Sequence, residues 1–594
     1  MQKQHLTQLS FLFGSRRQNS YKASVASHSC TPAIASAGFT TIFFLLFLTA
    51  FVHAQQRPNI VWIMAEDMNN HLVCYGEKLV HTPNIDWLAA NGVRYTNAFT
   101  TSPVCAPSRA SIITGMYSND IGTQHMRQGK ILTPAEGIPA YNAVPPPYVK
   151  AFTEYLRSDG YFCTNAFKTD YQVGTPFTVW DNHSFTASWR DRPNKEQSFF
   201  SCFTFQTTHE INVWPDSTKR RFFREFKVDT GRLEEDVKRR PKLEEKYIIN
   251  PADVVLPPYY PDDSIVRQDY ARHLTNVSRM DVQVGELMQK LKEDGLFDNT
   301  IIVFMGDNGD GIPRHKRWLY DGGLHVPLII YVPQKWRSSI SGKLTGVDSQ
   351  LISFVDLAPT MLSITGKPAP KHMQGKAFLG KQKTPSPRSY IYAARDRMDT
   401  KYDLQRAVRN KQFKYIKNYW PDTLYNQPLD FMYQMPMMQQ LIRLKKQGKL
   451  NAVQNAWILE PKPAEELYDV TKDPYEIRNL AKDPAYKKVL LQMRKALEQW
   501  QQSLSDWLDT PEIIQAEKMW PGGRQPITTE PIVEVNNEEL TLSCKTEGAS
   551  IGYRYEGEKF WKLYHIPFKK ISSKKLECKA VRYGYAESKS VIIN

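Results

Sequence analysis

The feature that most constrains this chain is the run Asn59-Ile60-Val61-Trp62-Ile63-Met64-Ala65, apolar almost throughout and stopped at once by Glu66-Asp67. A strand with one wet face alternates apolar and polar residues. A run without alternation has both faces buried, as in a parallel sheet covered by helices on each side. Phe199 to Phe205, Thr300 to Met305 and Val326 to Val332 fit the same reading. Between the first two of these, apolar residues recur at helical spacing from Ser264 to Leu291 (Val266, Tyr270, Leu274, Val277, Val284, Leu287, Leu291). Strands alternating with helices predict a doubly wound α/β sandwich, whose chemistry sits beyond the carboxyl ends of the strands.

Other segments depart from that pattern. Residues 212–262 are heavily charged and end in Pro257-Pro258-Tyr259-Tyr260-Pro261, which reads as a surface excursion. Residues 421–525 read as helical and polar. From about Pro531, short alternating runs such as Leu540-Thr541-Leu542-Ser543 read as a small β-sandwich. At the other end, residues 1–38 carry Lys3, Arg16, Arg17 and Lys22 but no acid, and the apolar run Phe39 to Val52 leads into Val52-His53-Ala54. That is the order of a signal peptide, and the run is shorter than the roughly 20 residues of a membrane span. The expected divisions are therefore 1–54, 55–420, 421–527 and 528–594. The mature protein is expected to be periplasmic or secreted, without stable membrane insertion.

The formal net charge of +16 falls to +12 once the four cations of the leader are removed. An exported basic protein suits an acidic polysaccharide rather than nucleic acid. With Cys30 lost in the leader, six cysteines remain and none forms a CxxC pair, which argues against a zinc knuckle. Cys544 and Cys578 are placed to bridge in an oxidising compartment.

The acids fall where such a sheet keeps its chemistry. Glu66 and Asp67 follow one strand; Asp307 and Asn308 follow another, in Gly306-Asp307-Asn308-Gly309. Both pairs project from one edge of a parallel sheet and repel unless a cation lies between them. Oxygen donors, with no cysteine or histidine beside them, select Ca²⁺ or Mg²⁺ over zinc. Either pair alone also reads as a helix cap or a turn. Cys105 opens the helix-like segment Cys105-Ala106-Pro107-Ser108-Arg109, and the helix start with Arg109 one turn on is electropositive, a setting that activates a thiol.

Cys105-x-Pro107-x-Arg109, followed by Thr114-Gly115, resembles the signature of the sulfatase family, type I, and the resemblance extends from about Arg57 to Pro484. It implies an α/β, alkaline-phosphatase-like sandwich with a mostly parallel central sheet and a smaller C-terminal subdomain; the last 65 residues resemble an appended β-sandwich. It further implies that a formylglycine-generating enzyme oxidises Cys105 to 3-oxoalanine (formylglycine). Hydrated, that aldehyde offers one hydroxyl to attack sulfur and a second to expel sulfate, a step serine cannot perform. Glu66, Asp67, Asp307 and Asn308 match the family's acidic pairs around one Ca²⁺, which Cys105 also approaches; Glu66 stands where aspartate is commoner. Lys168, Lys316 and His209 match groups that contact the sulfate or the leaving group, with Arg109 beside the nucleophile. Asp170 replaces a histidine of the family's Gly-Lys-x-His segment, so the identity of the base stays open. His125, Arg127, Arg314 and His315 are further candidates for holding substrate, as is Asp170.

The activity implied is hydrolysis of sulfate esters on a sulfated polysaccharide or its oligosaccharides, algal (such as ulvan) or glycosaminoglycan. Two rivals stand beside it. A phosphohydrolase or phosphodiesterase of the same fold uses Thr or Ser and two histidine-rich zinc sites; Cys105 and few histidines near the acidic strand ends oppose it. An inactive polysaccharide-binding protein is opposed by intact Cys105, Pro107 and Arg109.

Overall fold

The computed structural model describes residues 57–126, 137–225, 240–571 and 573–594, so the expected signal peptide and Arg127 lie outside the described residues. An eight-stranded sheet forms from β1 (Asn59–Ala65), β2 (Val93–Tyr95), β3 (Phe162–Ala166), β4 (Asn182–Ser184), β5 (Phe199–Phe205), β6 (Thr300–Gly306), β7 (Leu328–Tyr331) and β8 (Gly346–Asp348). The strand order is β4-β3-β5-β1-β6-β7-β2-β8. β1 lies between β5 and β6, parallel to both. Its pleat sends Ile60, Trp62 and Met64 to one core and Val61, Ile63 and Ala65 to the other.

The helices explain why β1 carries no polar face. α1 (Pro83–Asn91) and α4 (Ser264–Glu293) cover one side; α2 (Cys105–Thr114), α3 (Phe152–Ser158) and α5 (Leu357–Ile364) cover the other. The helix expected over 264–291 is present. The run Val326 to Val332 forms β7, but it is antiparallel to both β6 and β2. The link from β6 to β7 has no long crossover helix, and an antiparallel neighbour needs none. Since helices bury both faces there too, the residue pattern does not reveal the reversal.

Pro257–Pro261 is not a surface segment. Tyr259 and Tyr260 are buried, Tyr259 Oη paired with His315 Nε2 at 2.8 Å and Tyr260 Oη with the Pro313 carbonyl. Aromatic rings with a bonded polar tip suit such interiors. Likewise, residues 421–525 are not only helical. β9 (Ile391–Arg395), β10 (Gln405–Arg409), β11 (Phe413–Asn418) and β12 (Glu465–Asp469) form one antiparallel sheet that spans the expected boundary at 420/421. α6 (Lys487–Gln502) packs on it through Leu490, Met493, Leu497 and Trp500, and α7 (Glu512–Met519) returns to the central domain.

The strands between Ile532 and Ile593 make two antiparallel sheets around Leu540, Leu542, Ile551, Leu576 and Ala580. Cys544 and Cys578 are both free thiols, Cys578 inside that core and Cys544 against the Thr529 carbonyl, so they do not bridge. No helix among the described residues is long and apolar enough to cross a membrane.

Candidate active site

Parallel pairing brings the two acidic pairs together. Ala65 lies opposite Gly306 and Phe205 in the ladders, so the residues after β1, β5 and β6 leave the sheet at one level. The Asp307 N–H donates to the Ala65 carbonyl at 3.0 Å, and the Met68 N–H to the Asn308 carbonyl at 2.9 Å, which fixes the two loops against each other. Asp67 adopts φ 51°, a left-handed conformation uncommon for a residue other than glycine and typical of functional sites. Its N–H reaches Asp307 Oδ1 at 3.1 Å.

Cys105 is the first residue of α2 and fully buried. Pro107 falls in the first turn, where a missing N–H leaves nothing unsatisfied. Ser108 Oγ donates to the Asp307 carbonyl at 2.5 Å, seating the helix on the loop after β6. Cys105 Sγ points at Asp67 Oδ1, 3.6 Å away. Burial, only partly offset by Lys168 and Lys316, pushes the thiol up to about 12. The activated thiolate expected from a helix start is therefore not what this pocket stabilises.

Cations ring the acids. Arg109 Nε donates to Asp307 Oδ2 at 2.9 Å, and its Nη2 reaches Thr204 Oγ1 at 3.3 Å. Lys168 Nζ is 3.0 Å from Glu66 Oε2 and 3.5 Å from Asp170 Oδ2. Lys316 Nζ donates to Asp67 Oδ2 at 2.7 Å. His209 Nε2 sits 3.7 Å from Glu66 Oε2 and 3.8 Å from Asp67 Oδ2, while its Nδ1 accepts the Ile211 N–H at 3.3 Å.

The adjacent carboxyls respond in opposite ways. Burial raises Glu66 despite Lys168 and Arg109. Burial also opposes the charge on Asp67, but Lys316 and His209 hold it well below the usual range.

These residues fit a hard cation. Oε1 of Glu66 and Oδ1 of Asn308 are buried without a hydrogen-bond partner among the described residues, and Oε2 of Glu66 has only its ion pairs with Lys168 and His209. Asn308 turns its Nδ2 to Asp67 Oδ1 at 2.9 Å, leaving the carbonyl oxygen to face the cluster. Orphaned oxygens beside two aspartates are the donor chemistry of Ca²⁺ or Mg²⁺.

The other candidates divide. His125 is buried near the nucleophile: the Arg397 N–H donates to its Nδ1 at 3.3 Å, and the adjacent Met126 packs with Val104, Cys105 and Met398. Asp170, at φ 58°, lies on the rim beside Lys168. Arg314 does not join the site. Its guanidinium is held between the Tyr259 and Tyr320 rings and donates to the carbonyls of Tyr475 and Glu476 at 3.0 and 2.8 Å. His315 turns to Asp310, with its Nδ1 3.0 Å from Oδ2.

Two participants escaped sequence reasoning. Glu210 donates its N–H to Asp67 Oδ2 at 2.8 Å and holds Lys316 Nζ at 3.1 Å and Arg317 Nη1 at 2.8 Å. Thr204, the last inward position of β5, meets Arg109. Only the position of Glu210, directly after His209, signalled it.

Comparison with known proteins agrees with this geometry. The Sulfatase family matches residues 58–367, and the family described as N-sulphoglucosamine sulphohydrolase, C-terminal, matches 314–454. An ulvan-active sulfatase of Formosa agariphila is 43% identical over 554 residues, covering 91% of this chain and 91% of that protein. Human N-sulphoglucosamine sulphohydrolase is 26% identical over 516 residues, covering 80% of this chain and 96% of that one. A protein solved with its substrate, D-glucosamine-2-N,6-O-disulfate, superposes with a TM-score of 0.51 at 18% identity, over 77% of this chain and 99% of that chain, which shows the shared fold. By fold, by signature and by these relatives, the chain belongs to the sulfatase family and is a sulfuric ester hydrolase.

Proposed function

We propose that this enzyme removes sulfate from ulvan or its oligosaccharides, using formylglycine made from Cys105 and one bound Ca²⁺. The observation that carries the reading is the convergence of Cys105, four acidic or amide side chains and four cationic ones on one buried edge of the sheet. The 43% identity to an ulvan-active sulfatase along nearly the whole chain supports the choice of substrate, and the net charge of +12 without the leader suits a polyanion.

Glu66, Asp67, Asp307 and Asn308 would hold the cation. When bound, it supplies positive charge to the sulfuryl oxygens and to the nucleophile. Formylglycine supplies a paired hydroxyl, one for attack on sulfur and one for release of sulfate.

The chain's own residues do the rest. Arg109, anchored on Asp307, keeps a fixed positive charge beside residue 105. Lys168 and Lys316 reach in from opposite sides, each tethered to one acid, and neutralise charge on the sulfuryl oxygens as the ester bond breaks. Glu210 fixes Lys316 from behind. His209 Nε2 faces the acids from the loop after β5, placed to give a proton to the departing sugar oxygen. His125 and Asp170 border the approach and would contact the sugar, as would Arg127. Export through a signal peptide at 1–54 and maturation by a formylglycine-generating enzyme complete the proposal.

A panel of sulfated oligosaccharides from ulvan, heparan and chondroitin, read by released sulfate, tests the substrate. Release from ulvan fragments alone is expected; release only from glycosaminoglycans would overturn the choice. Mass spectrometry of the peptide spanning Cys105 tests the nucleophile, and an unmodified thiol in active protein would sink it.

A further inference from the structure

The loops that carry the acidic pairs run on into a second cluster. Asn69 and His71 come from the loop after β1, Asp310 and His315 from the loop after β6, and His273 from α4. Asp310 is fully buried. Its Oδ2 lies 2.9 Å from His71 Nε2 and 3.0 Å from His315 Nδ1; its Oδ1 accepts the Asn69 N–H at 2.8 Å and lies 2.9 Å from His273 Nε2. None of these side chains has a task in the sulfate chemistry.

His71 and His315 are engaged at both ring nitrogens, His273 at one only. That imidazole is wholly buried; its Nε2 faces Asp310 Oδ1 at 2.9 Å, and its Nδ1 makes no hydrogen bond among the described residues. An unpartnered buried polar group is unfavourable unless something else occupies its lone pair. His71, His273 and Asp310 each offer a ligand atom, and the three lie within 4.8 Å of one another.

We propose that His71, His273 and Asp310 bind a divalent cation of the zinc class. Imidazole nitrogens with one carboxylate suit zinc, where the strand ends, with three carboxylates and an amide beside Cys105 and His209, are richer in oxygen and suit calcium. The outer contact of His71 agrees: its Nδ1 is 3.3 Å from Glu77 Oε2. Ring nitrogens opposite a metal are normally held in this way. Three protein donors leave one position for water, and the His71 side chain, 19% exposed, gives the ion its way in. The site clamps both acid-bearing loops to α4. It also steadies Lys316, whose N–H donates to the Asp310 carbonyl at 2.9 Å.

The test uses the full chain and does not depend on its substrate. Protein exposed to zinc and then dialysed is expected to retain about one zinc per chain by elemental analysis. Chelator-treated protein titrated with Co²⁺ is expected to develop the intense visible absorption of a low-coordinate, imidazole-rich site, reversed by zinc. His273→Asn should abolish that absorption, and Asp67→Asn, which strips the strand-end site, should retain it. Wild-type protein that retains no zinc and shows no intense cobalt band would overturn the proposal without recourse to a variant. So would a band that survives His273→Asn or is lost with Asp67→Asn.

Discussion

The two side-chain clusters beyond β1 and β6 use the same two loops and opposite chemistry. Nearest the strand ends, Glu66, Asp67, Asp307 and Asn308 present oxygen, and Arg109, Lys168, Lys316 and His209 are pressed among them. A few residues further along, one carboxylate, Asp310, is surrounded by His71, His273 and His315. The first arrangement balances many charges, with Lys168 and His209 at its partly exposed rim. The second closes on itself. A loop that must hold reacting groups steady is thus fixed twice, by the sheet on one side and by the imidazole cluster on the other.

Substitutions should separate the two. Cys105→Ala is expected to lower sulfate release by about 10⁴-fold or more, with the melting temperature little changed because only one small polar group is lost. His273→Asn should do the reverse, lowering the melting temperature by roughly 2 °C for each ~2 kcal/mol lost in a unit of this size, while retaining measurable turnover. If His273→Asn matched Cys105→Ala in activity loss, the division between reacting and clamping clusters would fail. Lys316→Ala is expected to cost about 10²–10³-fold in kcat, as for loss of one charge-stabilising donor.

His209→Gln should cost about 10²-fold on a sugar sulfate and much less on an aryl sulfate, whose leaving group needs no proton. Equal losses on both substrates would remove His209 as the acid. The smallest effect concerns His125. Burial, outweighing the nearby Glu512, lowers it to about 4. The unfolded chain therefore binds its proton first on acidification, so stability falls as pH drops from about 6.5 towards 4. His125→Gln should flatten that part of the unfolding-versus-pH curve, measured by denaturant titration.

What was legible in the sequence follows from how each feature is encoded. β1, β5 and β6 were visible because burial on both faces writes an unbroken apolar run, and the acidic pairs were visible because each ends such a run. Cys105, Pro107 and Arg109 sit within one helical turn, so their signature survives in a short string. The direction of β7 was not visible, because a buried strand has the same composition whichever way it runs. The sheet β9–β12 was hidden because β12 arrives long after its partner β11, and pairing over that distance leaves no local mark.

The imidazole cluster shows the same limit more sharply. The sequence suggested few histidines near the acidic strand ends, yet His71, His273 and His315 converge a few residues beyond them. They come from three elements scattered over the chain, with no motif spacing. Tyr259 and Tyr260, in a segment whose charge and prolines looked like surface, pack against the same cluster.

The wall beside Cys105 has a consequence for synthesis. Met126 and Met398 close over the cysteine. The Met126 N–H donates to the Arg397 carbonyl, and Arg397 in turn is gripped by Glu512 of α7 at 2.5 and 2.7 Å. Glu512 also takes Tyr141 Oη and Tyr402 Oη. The pocket therefore cannot shut until the ribosome has made α7, roughly tens of seconds after Cys105 at ~5–20 residues per second. Once shut, it leaves Cys105 with no exposed surface. An enzyme that modifies this cysteine, which must take hold of the backbone on both sides of it, is expected to act within that interval, while the chain is still being made or exported; a sulfate group needs only the partly exposed rim at Lys168 and His209.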